Sequence, residues 1–158
     1  PATFSGSNGV FNVSSHFANG AVVSVINGTD YLGKFTVAGG NVDVSSVDTI
    51  TSAEIGFEFN VIAETLPIDG EIKGGPLTGQ PRSIHKVVLD VSNTLAVSVN
   101  NQDLVIRSVT DDLSASRIAV TGKKEFRFLG YNLDPTVTIS QSFPLPLDIN
   151  GLVAEVSF

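Results

Sequence analysis

Cysteine, methionine and tryptophan are absent from this chain of 158 residues, and histidine and tyrosine occur twice each. Without cysteine there is neither a disulfide nor a thiolate metal site, and the redox compartment stays open. Without tryptophan, and with only Tyr31 and Tyr131, the chain is poor in the flat platforms on which sugars stack. No apolar run approaches the ~20 residues that span a bilayer, and the opening residues do not read as a signal sequence, so membrane insertion is not expected. Bases are scarce at the start. Residues 1–70 hold seven acids against Lys34 alone, whereas residues 71–158 hold nine acids and eight bases, for a net charge of −7. Such a surface repels phosphate backbones, and tight nucleic-acid binding is not expected. Methionine is missing even at position 1, where Pro1 stands; initiator removal and excision from a longer protein both account for that.

What is present favours strands. Hydrophobic residues make up 42% of the chain, ten of them Phe, and Val, Thr and Ser are abundant. The length suits one domain, or two small ones sharing a core. Residues 1–9 are small and polar and read as a loose lead-in. Strands are predicted at Val10–Val13, Ala21–Ile26, Leu32–Val37 and Asn41–Val44, with turns at Asn27-Gly28 and Gly39-Gly40. This is the meander of a small barrel or half-sandwich, over residues 10–53. Residues 54–158 read as an antiparallel β-sandwich. They open on a strand over Glu54–Glu64, whose Ile55, Phe57, Phe59 and Val61 share one face. Residues 66–82 hold three prolines and four glycines and read as a loop, with Lys73 and Arg82 as its positive charges. Ile84–Val91 and Leu95–Val99 read as a pair around Ser92-Asn93-Thr94. Leu104–Val109 follows the Asn100-Asn101 turn, and Asp111–Ser116 reads as a loop. Glu125–Leu129 sets Phe126 and Phe128 inward. In the last stretch, Val137 and Ile139 share a face, Pro144 and Pro146 bar a central strand, and Asn150-Gly151 reads as a turn. Leu152, Ala154, Val156 and Phe158 form the face of a closing strand over 152–158. The predicted class is all-β, with no substantial helix.

Chemistry is thinly represented. His16 and His85 lie far apart without HExxH spacing, and both read as structural or surface residues. No serine sits in a GxSxG elbow. Asp111-Asp112 lacks a calcium-loop pattern. Gly39-Gly40 and Gly74-Gly75 do not join a strand to a helix as a phosphate cradle would. Carboxylates alternating along strands read as solvated rather than as a glycosidase pair. Neither a catalytic function nor a cofactor is expected, and no metal site is read.

Four segments between His16 and Phe158 are similar to the C-terminal part of the tail tubular, or nozzle, proteins of short-tailed bacteriophages, also called head–tail stabilisation proteins. The first is His16-Phe17 with Gly20 and VVSVINGTD. The second is GFEFNVIAETLP, which keeps Gly56, Leu66 and Pro67 of that family's pattern but has Phe57, Glu58 and Phe59 in place of Leu-Pro-Tyr. The third is LDVSNTLAVSVN around Asn93, with Ala96 and Asn100 standing for glycines. The fourth and most specific is PTVTISQSFPLPLDINGLVAEV, matching at Pro135, Gln141, Pro144, Pro146 and Glu155. Family members are several hundred residues long. The resemblance implies a virion component, made in the bacterial cytoplasm and placed at the distal end of the tail. There a homo-oligomeric ring encloses the DNA exit channel and meets adaptor-side proteins and tail fibres. It implies no enzymatic activity. The loop at 66–82, through Lys73 and Arg82, is the expected contact with the acidic first half of a neighbouring subunit. A carbohydrate- or receptor-binding β-sandwich on a phage or cell surface is the alternative reading.

Overall fold

A computed structural model of the chain describes residues 1–157 apart from 69–70, 73–74, 77–79, 108–109 and 113–114, with backbone alone at 71–72 and 75–76. The described residues are all-β, with no helix among them. The chain divides into two compact units: Pro1–Asn60 with Thr110–Ile118 and Ser142–Leu145, and Val61–Val109 with Ala119–Gln141 and Pro146–Phe158.

The first unit is a curled six-stranded antiparallel sheet. Its strands are β1 (Ala2–Ser7), β2 (Val10–Asn12), β3 (Val22–Asn27), β4 (Asp30–Thr36), β5 (Asn41–Asp43) and β6 (Ser52–Gly56), in the order β4-β3-β6-β1-β2-β5. Its outermost strands, β4 and β5, approach each other. Inward residues of alternating strands, among them Phe4, Phe11, Val23, Val25, Val42 and Ile55, form its core. Residues 1–9 are therefore a strand rather than a loose lead-in. Thr3 and Phe4 pair with Glu54 and Ala53 of β6, and Asn8-Gly9, both at positive φ (51° and 77°), makes the two-residue turn into β2. Small, polar residues disguised the alternation that buries Phe4. The Gly39-Gly40 turn forms as expected, at φ 58° and 77°. The β3–β4 hairpin turns on Gly28-Thr29 rather than on Asn27-Gly28, because Asn27 still pairs with Asp30.

The second unit carries β7 (Val61–Glu64), β8 (Glu71–Ile72), β9 (Gly75–Pro76), β10 (Ser83–Thr94), β11 (Ser98–Val99), β12 (Gln102–Asp103), β13 (Val120–Arg127), β14 (Thr138–Gln141) and β15 (Asp148–Ser157). Three of them form the sheet β13-β10-β15, and four form β12-β11-β14-β7; β8 and β9 make a small hairpin. Inner residues of both larger sheets (Val87, Leu89 and Val91 of β10, Val99, Phe126 and Ile139) meet in one cluster, as in a two-layer sandwich. Each unit thus has a core cluster of its own, where one shared core was expected.

Four other expectations change here. The strand over Glu54–Glu64 is interrupted: β6 ends at Gly56, residues 57–60 are irregular, and β7 begins the second unit. Residues 84–91 and 95–99 do not pair around Asn93. Instead β10 runs through to Thr94, flanked by β13 and β15, and Asn93 (φ 45°) sits where the β10–β13 register shifts. The strand after the Asn100-Asn101 turn is β12, which ends at Asp103, before the predicted Leu104–Val109. Asn150-Gly151 lies inside β15. Asp90 opposes Gly151 and Val91 opposes Ile149, so Asn150 is an inserted residue and the strand continues through it. The C-terminal strand does complete its sheet: β15 pairs along β10 from Ser83 to Ser92.

Candidate interaction surface

Arg82 precedes β10 and is 1% exposed. Its backbone N–H donates to the Asn132 carbonyl and its carbonyl accepts from Asn132 N–H, both at 2.8 Å. The guanidinium Nη1 donates to the Ile68 carbonyl, and Nη2 donates to the Leu133 carbonyl at 2.6 Å and lies 3.5 Å from Asp134 Oδ1. One fork therefore ties the chain on either side of β10 to the start of that strand. Such a side chain is not offered to a neighbouring subunit, which corrects the expectation for Arg82. Lys73, its expected companion, lies outside the described residues. Beside the clamp is an open recess of about 240 Å³ lined by Arg82, Asn100, Phe128, Tyr131 and Pro135 among others.

A second feature arises from a bulge. Ile84 opposes Val156 and Lys86 opposes Glu155, so His85 is inserted between two regular pairs. A bulge sets two residues against one on the partner strand. Both side chains accordingly reach Glu155: Lys86 Nζ lies 2.6 Å from Oε2 and His85 Nε2 3.4 Å from Oε1. The hydrogen bond from Lys86, then that from His85, hold the Glu155 carboxyl below its ordinary value, and the same carboxylate raises Lys86. Lys86 also opposes Arg127, whose Nε is 2.6 Å from Glu125 Oε1. The outer face of this sheet is thus a row of compensated charges over a shallow recess of about 230 Å³. His85 was read as a structural or surface residue and Glu155 by resemblance. What joined them is the bulge, which no local pattern announces.

The other residues singled out by resemblance do not converge. Gly56 closes β6, where an added Cβ would meet Pro1 at 3.1 Å. Leu66 and Pro67 follow β7, with Leu66 86% exposed. Asn93 marks the irregularity in β10. Pro135 is buried ahead of β14, and Gln141 ends that strand. Pro144 is half-buried and belongs to the first unit. Pro146 is exposed, and its carbonyl accepts from Leu95 N–H at 3.0 Å. In the first unit, Lys34 reaches Glu58 at 2.7 Å and Tyr31 packs on Phe143 with ring centroids 5.4 Å apart.

What remains outward-facing is apolar. In β7 all four residues are exposed, on both faces of the strand, with Ile62 at 68%. The segment between β13 and β14 exposes Leu129, Tyr131 and Leu133, and Phe57 and Phe59 are exposed where the first unit ends. Contiguous apolar patches mark interaction surfaces, whereas single exposed apolar side chains are ordinary. Among the described residues no three His, Asp or Glu side chains gather as a metal site would require. The chain matches no protein-family model, and no curated protein is significantly similar to it.

Proposed function

We propose that this chain is a structural module of a short-tailed phage virion, part of the ring that surrounds the DNA exit channel at the distal end of the tail. The reading is carried by one stretch, Pro135 to Glu155, whose prolines, glutamine and glutamate fall at the spacing of the nozzle proteins. Two features of the fold support it. That stretch supplies both β14 and β15, one strand to each of the larger sheets of the second unit. The apolar side chains left exposed on β7 and at 129–133 suit a protein whose work is to be packed against others. The acidic balance of −7 suits a conduit that must release DNA rather than hold it. The test is immunogold labelling, with antibodies raised on this chain, of purified virions of the phage that encodes it. Label at the distal end of the tail is expected. Virions that carry no label and no peptides of the chain by mass spectrometry would overturn the proposal.

A further inference from the structure

The outermost strands of an open sheet present N–H and C=O groups with no partner in the sheet, and proteins guard such edges with lysine, bulges, short length or curling. Most edges here are guarded. β4 and β5 curl toward each other, and β12 is two residues long and polar. β15 is bulged at Asn150 and carries Asp148 and Glu155. β13 carries Lys123, Lys124 and Arg127. β7 is only four residues long but carries neither lysine nor bulge. Val61, Ile62 and Ala63 are all exposed, β14 is its one partner among the described residues, and its single charge is Glu64.

We propose that β7 of one copy of this chain adds antiparallel to the free edge of β13 of a second copy. Charge favours this pairing. Setting β13 against another β13 in the registers that align its lysines opposes lysine to lysine, a repulsion that disfavours them. Setting β7 antiparallel to another β7 places Glu64 opposite Val61 and leaves both carboxylates without a cation. Against β13, the register that sets Glu64 opposite Lys123 also brings Ile62 to Glu125, Ala63 to Lys124, and Val61 to Phe126. That register keeps faces consistent. Ile62 and Glu64 share one face of β7, and Lys123 and Glu125 share the outer face of β13, while Val61 meets the inward side that carries Phe126. The lysines of β13 thus accept an edge that brings a carboxylate.

Because the two edges belong to different strands, the contact is head-to-tail, and its repetition closes a ring or runs on as a filament. Closure into a ring rests on the virion reading above; the pairing itself does not. The absence of cysteine makes a clean test possible. Ile62→Cys and Glu125→Cys variants of the whole chain, which leave Glu64 and Lys123 in place, are mixed and oxidised. Opposed residues of antiparallel strands fall within disulfide reach. The expected product is the mixed dimer that joins one variant to the other, in excess over either homodimer, with the cross-linked peptides mapped by mass spectrometry. In parallel, Glu64→Lys and Lys123→Glu each weaken self-association several-fold, and the double reversal restores it. A disulfide homodimer of the Ile62→Cys variant as main product, no cross-link from variants whose circular dichroism is unchanged, or failure of the double reversal to restore association overturns the pairing. Virion labelling and cross-linking can fail separately, so the two proposals are tested apart.

Discussion

At the scale of single residues the second unit depends most on Arg82. Asp134, its ionic partner, is 73% exposed, so solvent screens that pair and it contributes little. The part-buried bonds to the Ile68 and Leu133 carbonyls matter more, since losing the donor leaves both acceptors without it. Arg82→Ala is expected to cost about 3 kcal/mol by urea denaturation. Arg82→Lys keeps the charge but cannot span two carbonyls and recovers less than half of that loss, while Asp134→Ala stays within ~0.5 kcal/mol of wild type. Glu155 gives a pH signature. Its folded-state carboxyl is depressed, so its contribution is complete above the ordinary carboxylate range and disappears as pH falls through the lowered value. Lys86 is raised, so its contribution holds below the ordinary ammonium value and disappears as pH rises through the folded one. The stability gap between wild type and Glu155→Gln is therefore widest near neutrality and closes toward both ends of a denaturation series from about pH 3 to about pH 11. Sequence alone placed positive charge at Arg82, but not its burial. The carbonyls that hold it come from residues 68 and 133, one on either side of it in the chain, and only the fold brings them together.

Among the elements, asparagine was the ambiguous letter. Asn100-Asn101 makes the two-residue turn between β11 and β12, with φ 46° and 65°, as its position between strands suggested. Asn93 and Asn150 look the same in sequence yet sit inside β10 and β15, where long pairing with neighbours absorbs an irregular residue as a register shift instead of reversing the chain. Period-two alternation revealed β2 to β5 and the inward face of β15, because each has one covered side. It did not reveal β1, whose one large inward side chain, Phe4, stands among Ala, Thr, Ser and Gly. The turn offers a direct check. Asn101→Val is expected to destabilise by about 1 kcal/mol, since a β-branched side chain resists positive φ, while Asn101→Gly remains within a few tenths. Asn100 is a poor site for that comparison. Its N–H donates to the Thr138 carbonyl at 2.8 Å and its Oδ1 accepts from Thr138 N–H at 2.7 Å, so changing it also removes a tie to β14.

For the molecule as a whole, each unit buries a core cluster of its own and leaves apolar side chains outside. The all-β class followed from composition and alternation. The division after Asn60 did not, because Glu54–Glu64 alternates without pause across the boundary and only the pairing partners change there. The candidate surface was equally hidden, since Val61 and Ile62 look in sequence like core residues of a strand and acquire meaning from being outermost in their sheet. Sedimentation velocity of the whole chain across micromolar concentrations tests this account most directly. It predicts self-association in the wild-type protein and a monomer for Ile62→Glu, which sets a like charge opposite Glu125 in the proposed pairing. A wild-type chain that stays monomeric throughout, or an Ile62→Glu chain that associates as strongly, would contradict it.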